Sequence, residues 1–168
     1  MSIGPRYRVK PRRRREGKTD YRKRLNLLRS QKTRMIVRKT LSQIIVQFVE
    51  YKEDGDNVIA SAVSKELKTK YKWKYSTSNT SSAYVTGYLA GVRAKEKGVK
   101  ECVLDAGRQR PVTGSKIFAS LKGALDAGIN CPHDEKKLPD DDRIHGKHID
   151  EKIGPEVNSI IKEISGGK

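Results

Sequence analysis

The chain has 168 residues and a formal net charge of +17 at pH 7, with 34% of its residues charged and 35% hydrophobic. This length suits one domain with extensions, and the positive charge predicts a polyanionic partner, either nucleic acid or a membrane surface. No apolar run exceeds three residues, which argues against a secretory signal or a membrane-spanning helix and makes the cytoplasm the expected location. Cys102 and Cys131 lack CxxC spacing, so we expect buried free thiols rather than a disulfide or a zinc site.

The positive charge is concentrated at the start of the chain. Residues 1–39 contain 16 lysines and arginines against two acids, whereas residues 40–168 contain 21 against 18. Residues 1–18 have almost no core-forming side chains, so we expect an extended arm that is disordered in isolation. The arginines at 12–15 suit three hypotheses: a solubilising tail, a nuclear localisation signal or a binding surface. The binding surface is favoured because the charge continues into a predicted helix and because arginine forms forked contacts with phosphates.

The first predicted element is that basic helix. Apolar side chains spaced at one helical turn predict it over residues 19–30, with Thr19 as the N-cap. Tyr21, Leu25 and Leu28 form its apolar face, which we expect to anchor the helix to the rest of the fold.

An antiparallel meander of three strands is predicted next. Residues 33–40 and 43–51 are rich in β-branched and aromatic side chains, and EDGDN at 53–57 supplies turn chemistry. A third strand follows at 58–63, and a short helix at 64–70.

The second half of the chain predicts an α-β-α arrangement against this meander. It comprises a helix at 80–97, a buried strand at 101–105, a helix at 115–127 and a candidate last strand at 129–131. The order indicates an α/β fold with a mixed β-sheet and helices packed on it. One amphipathic helix is predicted within residues 133–168.

Small residues recur every four positions along the predicted helix at 80–97. Ala83, Gly87 and Gly91 form this stripe, and we expect it to press closely onto the sheet.

Two basic segments have competing interpretations. KTKYKWKY at 68–75 is either an RNA-facing edge or a segment whose aromatic side chains cover the core, and we favour the core for Trp73. GRQRPVTGSK at 107–116 joins a strand to a helix, but its glycine spacing does not match a Walker motif. It is either an anion site built by Arg108, Arg110 and Lys116 at a helix N-terminus or an ordinary solvated loop.

No arrangement of residues predicts catalysis, a metal or a cofactor. DDDRIHGKH at 140–148 is interpreted as a polar surface segment because adjacent acids point in different directions. The histidines lie only in the C-terminal tail, so neither a Ser-His-Asp nor a Cys-His arrangement is supported. We therefore expect neither an enzyme nor a small-molecule substrate.

Several longer strings have a recognisable family pattern. They are GPRYRV at 4–9, RRRREGKTDYRKRLNLL at 12–28, ASAVSKEL at 60–67, SAYVTGYLAGVRA at 82–94, VLDAG at 103–107 and TGSKIFASLKGALDAGINCPH at 113–133. In these strings the chain resembles archaeal-type members of the eighteenth universal large-subunit ribosomal protein family. The family pattern often has a polar turn between the first strands, where this chain has Leu41, so no RNA contact is assigned there.

The resemblance implies a structural component of the large ribosomal subunit that binds 5S rRNA and helps attach it to the subunit. It implies a ribonuclease-H-like fold of the translational machinery type without the nuclease site. The expected partners are 5S rRNA, large-subunit rRNA and neighbouring ribosomal proteins. From the resemblance and the charge pattern, the candidate RNA-binding residues are Arg6, Tyr7, Arg8, Lys10, Arg12, Arg13, Arg14, Arg15, Lys18, Tyr21, Arg22, Arg24, Arg34, Arg38, Lys39, Arg108, Arg110 and Lys116.

The expected organisation is a basic arm at 1–18, an α/β RNA-binding domain at 19–132 and a helical tail at 133–168. Two alternative functions stay open. A ribonuclease-H-like nuclease would need several carboxylates at strand ends, where the chain offers Asp105 and Glu50. A general architectural protein that binds nucleic acid would share the charge pattern without preferring 5S rRNA.

Overall fold

The computed structural model describes residues 4–166 of the chain, so the first three positions of the predicted arm and the last two of the predicted tail lie outside the described residues. Its strands are β1 (Thr33–Lys39), β2 (Ile44–Lys52), β3 (Gly55–Val63) and β4 (Cys102–Asp105). Its helices are α1 (Arg12–Arg15), α2 (Tyr21–Leu28), α3 (Lys65–Lys70), α4 (Thr80–Glu96), α5 (Lys116–Asp126), α6 (Asp141–Ile144) and α7 (Ile153–Gly166). The predicted α/β class with a mixed sheet is confirmed, with most boundaries within one or two residues of the prediction.

The four strands form one sheet in the order β3-β2-β1-β4. β1 pairs antiparallel with β2, and β2 pairs antiparallel with β3, as the predicted meander requires. The chain then passes through α4 and returns as β4, which runs parallel to β1. The candidate last strand at 129–131 is reduced to a single parallel bridge between Glu101 and Asn130.

Alternation along the central strands gives the sheet two different faces. Met35 and Val37 of β1 and Val46 and Phe48 of β2 are buried in the core beneath α4 and α5. The intervening side chains, including Ile36, point to the opposite face. The core therefore lies on one side of the sheet, and the polar network described below lies on the other.

The stripe of small residues on α4 faces a helix and not the sheet, which corrects the sequence-based expectation. A Cβ built on Gly87 would lie 2.0 Å from the backbone oxygen of Ser120 in α5. In the reverse direction, a Cβ on Gly123 of α5 would lie 2.1 Å from the backbone oxygen of Tyr84. The two helices therefore cross in backbone contact, which only glycine allows at these positions.

The basic helix α2 is shorter than predicted and begins at a different cap. The side chain of Asp20, and not that of Thr19, accepts hydrogen bonds from the backbone N–H groups of Arg22 and Lys23 at 3.0 and 3.2 Å. The predicted apolar face does not anchor the helix, since no residue of α2 is buried and Leu25 is 53% exposed.

Between residues 133 and 166 the chain forms the two α-helices α6 and α7 and a short 3-10 helix at Glu135–Lys137, where the sequence predicted one helix. Ile144 of α6 and Ile153, Val157 and Ile160 of α7 are buried in the same core cluster as α4. The segment at 133–166 thus contributes to the core of the α/β domain.

Three further expectations concern buried side chains and membrane segments. Trp73 is buried, and its Nε1–H donates to the backbone oxygen of Ser76 at 3.1 Å, which confirms its structural interpretation. Cys102 and Cys131 are buried free thiols, as predicted. Between residues 4 and 166 we find no helix with the length and apolar character needed to span a membrane.

Candidate nucleic-acid interface

The basic arm lies on the surface and offers most of its cations to solvent. Residues 4–16 are all exposed, including the four arginines of α1, which share a single helical turn. Glu16 accepts a hydrogen bond from Nε of Arg12 at 2.7 Å and pairs with Nζ of Lys18 at 2.8 Å. These contacts with Lys18 and Arg12 lower the pKa of Glu16. Within the described part of the chain, no ion pair involves Arg6, Arg8, Lys10, Arg13, Arg14 or Arg15.

The end of the arm meets the loop that precedes α5. A Cβ built on Gly17 would lie 3.4 Å from Nη1 of Arg108, and the positive φ of 67° at Gly17 turns the chain there. Gln109 ties the same loop to the end of β1, because its Nε2 donates to the backbone oxygen of Lys39 at 2.7 Å. The arm, the helix α2 that follows it, the loop at 107–115 and the β1–β2 turn therefore form one cationic side of the molecule. Leu41, in the β1–β2 turn, is 100% exposed.

A chain of alternating charges lies between α2 and the open face of the sheet. Arg24 of α2 donates through Nη1 and Nη2 to the two carboxylate oxygens of Asp56 in β3, at 2.9 and 2.8 Å. Nη2 of Arg34 in β1 lies 2.7 Å from Oδ1 of Asp56, and its Nη1 donates to Oδ2 of Asp105 in β4 at 3.3 Å. We call Arg24, Asp56, Arg34, Asp105 and Arg38 the ion-pair network.

Arg38 closes the network at the end of β4. Its Nη1 donates to the backbone oxygen of Asp105 at 2.7 Å, and its Nη2 donates to Oδ1 of the same residue at 3.2 Å. A Cβ on Gly107 would lie 2.8 Å from Cζ of Arg38, and Gly107 has a positive φ of 61°. Glycine therefore lets the loop close over this guanidinium.

The network removes Arg34 from the predicted RNA-binding surface. The Arg34 side chain is 1% exposed and is enclosed by Asp56 and Asp105, so it holds the fold together internally. Its Nη2 contacts Asp56 outside hydrogen-bonding geometry, and within residues 4–166 its Nε also lacks an acceptor. Alternation along β1 placed Arg34 away from the core, but no sequence pattern indicated that two carboxylates would enclose it.

An open cleft of about 850 Å³ separates α2 from the sheet. Its floor includes Ile36 and Leu104, while Lys18, Lys23 and Arg13 contribute cations to its walls. Lys23 lines the cleft but was not among the predicted RNA-binding residues, although it belongs to the YRKR string at 21–24. The cleft also contains the ion-pair network, so its charge is mixed inside and positive at its edge.

The loop before α5 presents the predicted cations without forming a closed site. Arg108 and Arg110 are exposed and Lys116 is half-buried at the first turn of α5. Ser115 precedes that turn and makes no side-chain capping hydrogen bond. The loop is thus an accessible cationic connection at a helix N-terminus, and its ability to bind phosphate stays a prediction.

The strand carboxylate available to a nuclease is already neutralised. Asp105 is buried and engaged by Arg34 and Arg38, which opposes the binding of a divalent cation. No cluster of three or more potential metal ligands occurs in residues 4–166.

Comparison with known proteins decides the family. A family model for the ribosomal large subunit proteins 60S L5 and 50S L18 matches residues 5–99 and 92–134. The chain belongs to this family.

Curated relatives cover most of the chain at high identity. The large ribosomal subunit protein uL18 of Korarchaeum cryptofilum is 58% identical over 149 residues, which is 89% of this chain and 76% of that protein. The uL18 proteins of Aeropyrum pernix and Methanothermobacter thermautotrophicus are 56% and 51% identical over the same share of this chain, covering 70% and 77% of their own lengths.

Membership of the L5/L18 family establishes the general role. The chain is a structural protein of the large ribosomal subunit in the cytoplasm, and it is not an enzyme. Its partners are ribosomal RNA and other ribosomal proteins. Family membership therefore rules against the nuclease alternative.

Proposed function

We propose that this member of the L5/L18 family binds 5S rRNA and helps attach it to the rest of the large subunit. The observation that carries the proposal is the cationic side formed by the arm, α2, the loop at 107–115 and the β1–β2 turn. Most of its arginines make no ion pair within residues 4–166, so they are available to phosphates.

The arm and the domain have different tasks in this proposal. The arm at 1–18 supplies charge, and none of its described residues is buried in the fold. We therefore propose that the arm adopts its bound conformation along the RNA surface. The domain at 19–132 supplies a rigid platform, where Arg22, Lys39 and Arg108 are exposed at fixed positions. The described part of the tail at 133–168 packs on α4 and belongs to the core of the domain.

We also propose that the fold is of the ribonuclease-H-like kind found in the translational machinery. An antiparallel meander followed by a helical crossover to a parallel fourth strand beside β1 supports this assignment. The neutralised Asp105 is consistent with use of the fold as a scaffold.

The test is deletion of residues 1–18, which removes eight lysines and arginines and spares every strand. Since residues 4–18 contain no buried side chain, the melting temperature should stay close to that of the full chain. Affinity for 5S rRNA, measured by filter binding across a salt series, should fall by orders of magnitude. The slope of log affinity against log salt should become shallower by roughly 0.7–0.9 for each phosphate that the shortened chain no longer neutralises.

A matched pair of variants shows whether RNA affinity depends on where the positive charges lie or only on the total charge of the protein. Replacing the four arginines at 12–15 by glutamine removes as much charge as replacing Lys100, Lys136, Lys152 and Lys162, which are exposed elsewhere. The arginine variant should show the larger drop in affinity and in salt dependence. Equal drops in both variants would contradict a specific role for the arm.

Duplex DNA of matched length tests the architectural alternative in the same assay. A preference for 5S rRNA supports the proposal, whereas equal affinity for the DNA would favour a general nucleic-acid-binding protein.

A further inference from the structure

Helix α2 carries part of the cationic side, yet little of its surface is attached to the fold. None of its residues is buried, and an eight-residue helix has little stability of its own in water. Within residues 4–166, the two hydrogen bonds from Arg24 to Asp56 are the side-chain hydrogen bonds that join α2 to the sheet. The orientation of α2 therefore depends strongly on this pair.

Asp56 is itself held in place by the buried Arg34 of the sheet. Its side chain is 27% exposed, and Oδ1 lies 2.7 Å from the buried guanidinium of Arg34. Arg34 in turn is tied to the buried carboxylate of Asp105, so the anchor belongs to the interior of the sheet. Burial raises the pKa of Asp56, but the guanidinium groups of Arg24 and Arg34 outweigh that effect and lower it, so the residue stays ionised.

We infer that Asp56 is a positioning residue for RNA binding. It holds Arg24 and the helix around it over the sheet, so that the neighbouring cations face the RNA in a fixed arrangement before contact. If α2 is docked on the sheet in only a fraction of the protein molecules, the apparent affinity of the protein for RNA is reduced by that fraction. The inference rests on the proposed function, because it concerns the same RNA-binding surface.

The sign of the effect separates positioning from simple attraction. Asp56→Asn removes one negative charge from a basic protein, so Coulomb attraction alone predicts equal or tighter binding to RNA. Loss of positioning predicts the opposite, a weakening of about five- to tenfold. Asp54→Asn is the matched control, since Asp54 is exposed two residues away and forms no ion pair within residues 4–166. This control should bind as tightly as the parent or slightly more tightly.

A second pair of variants keeps Asp56, so the buried guanidinium of Arg34 retains its ion-pair partner. Arg24→Gln breaks the link from the helix side while Asp56 keeps its contact with Arg34. Arg22→Gln removes the same charge from the same helix without breaking an ion pair within residues 4–166. Amide hydrogen exchange in the free protein should show reduced protection across α2 in the Arg24 variant and retained protection in the Arg22 variant. This readout needs no RNA.

The outcomes distinguish the inference from the proposed function. If the parent does not prefer 5S rRNA, the proposed function fails, whereas the exchange result still decides whether Asp56 anchors α2. If the parent and Asp54→Asn bind 5S rRNA and Asp56→Asn binds equally well or better, the positioning role is overturned. If Asp56→Asn lowers the melting temperature of the whole domain, its RNA affinity no longer tests positioning, and the comparison of Arg24→Gln with Arg22→Gln decides the question instead. Equal exchange and equal affinity in that pair would also overturn the inference.

Discussion

The glycine contact between α4 and α5 predicts that one added methyl group will destabilise the protein. In Gly87→Ala the new Cβ would lie 2.0 Å from the backbone oxygen of Ser120, whereas carbon-to-oxygen contacts of this kind lie at about 3.3–3.6 Å. The helices must separate by about 1.5 Å, and the atom in the way belongs to backbone, which cannot rotate aside. Overpacking of this kind costs about 1–3 kcal/mol, and the backbone contact places Gly87→Ala near the upper end.

Helix propensity acts in the other direction and is too small to compensate. Alanine is favoured over glycine inside a helix by about 1 kcal/mol, so we expect a net loss of about 2 kcal/mol in the free energy of unfolding. Gly166→Ala at the end of α7 is the matched control, because an added Cβ there meets nothing within 4 Å. The control should be as stable as the parent, or more stable by up to about 1 kcal/mol.

Urea unfolding followed by far-UV circular dichroism measures both variants. The midpoint should fall for Gly87→Ala and stay level or rise for Gly166→Ala, with the same dependence on urea in each. A Gly87→Ala protein within about 0.5 kcal/mol of the parent would show that the helices are not in backbone contact.

Two further predictions concern another ion pair and the loop before α5. The hydrogen bond from Arg93, at 2.7 Å, is the main cause that lowers the pKa of Glu66 from 4.5 to about 2. Because the folded pKa is depressed, this stabilisation is present above about pH 4.5 and disappears as the pH falls towards 2. After a discount for the partial exposure of the pair, the free energy of unfolding of the parent should fall by about 2–3 kcal/mol more than that of Glu66→Gln over this pH range, as measured by thermal unfolding. Equal decreases in the two proteins would contradict the assignment. Replacing Arg108 and Arg110 together by alanine should reduce 5S rRNA affinity by about 1–3 kcal/mol in filter binding, and unchanged affinity in the folded variant would identify an ordinary solvated loop.

Local chemistry was sufficient to predict most of the elements. Alternating β-branched side chains and the turn around Gly55 predicted β1 to β3. Asn79 and Thr80 were both suitable caps for α4, and the structure uses Asn79, whose side chain accepts from the N–H of Ser82 at 2.7 Å. These signals act between residues close in sequence, so they are visible without the fold. The boundary error at α2 has the same local character, since Thr19 and Asp20 are adjacent and both are suitable caps.

The candidate site was predicted in part. The concentration of charge in residues 1–39 predicted which end of the chain carries the cationic side, because charge can be counted without coordinates. The assignment of Arg34 to the surface was wrong, since alternation distinguishes the two faces of a strand but not what covers the second face.

The sequence by itself thus determined most of the elements, the resemblance to the family and the location of the charge. Only the tertiary structure decided that Gly87 meets a helix instead of the sheet, and that Asp56 lies between Arg24 and Arg34. Arg24 and Asp56 are 32 positions apart, and Arg34 and Asp105 are 71 apart. No local periodicity specifies which of many charges will meet across such separations. Their pairing follows from the order and register of the strands, which bring β1, β3 and β4 together beneath α2.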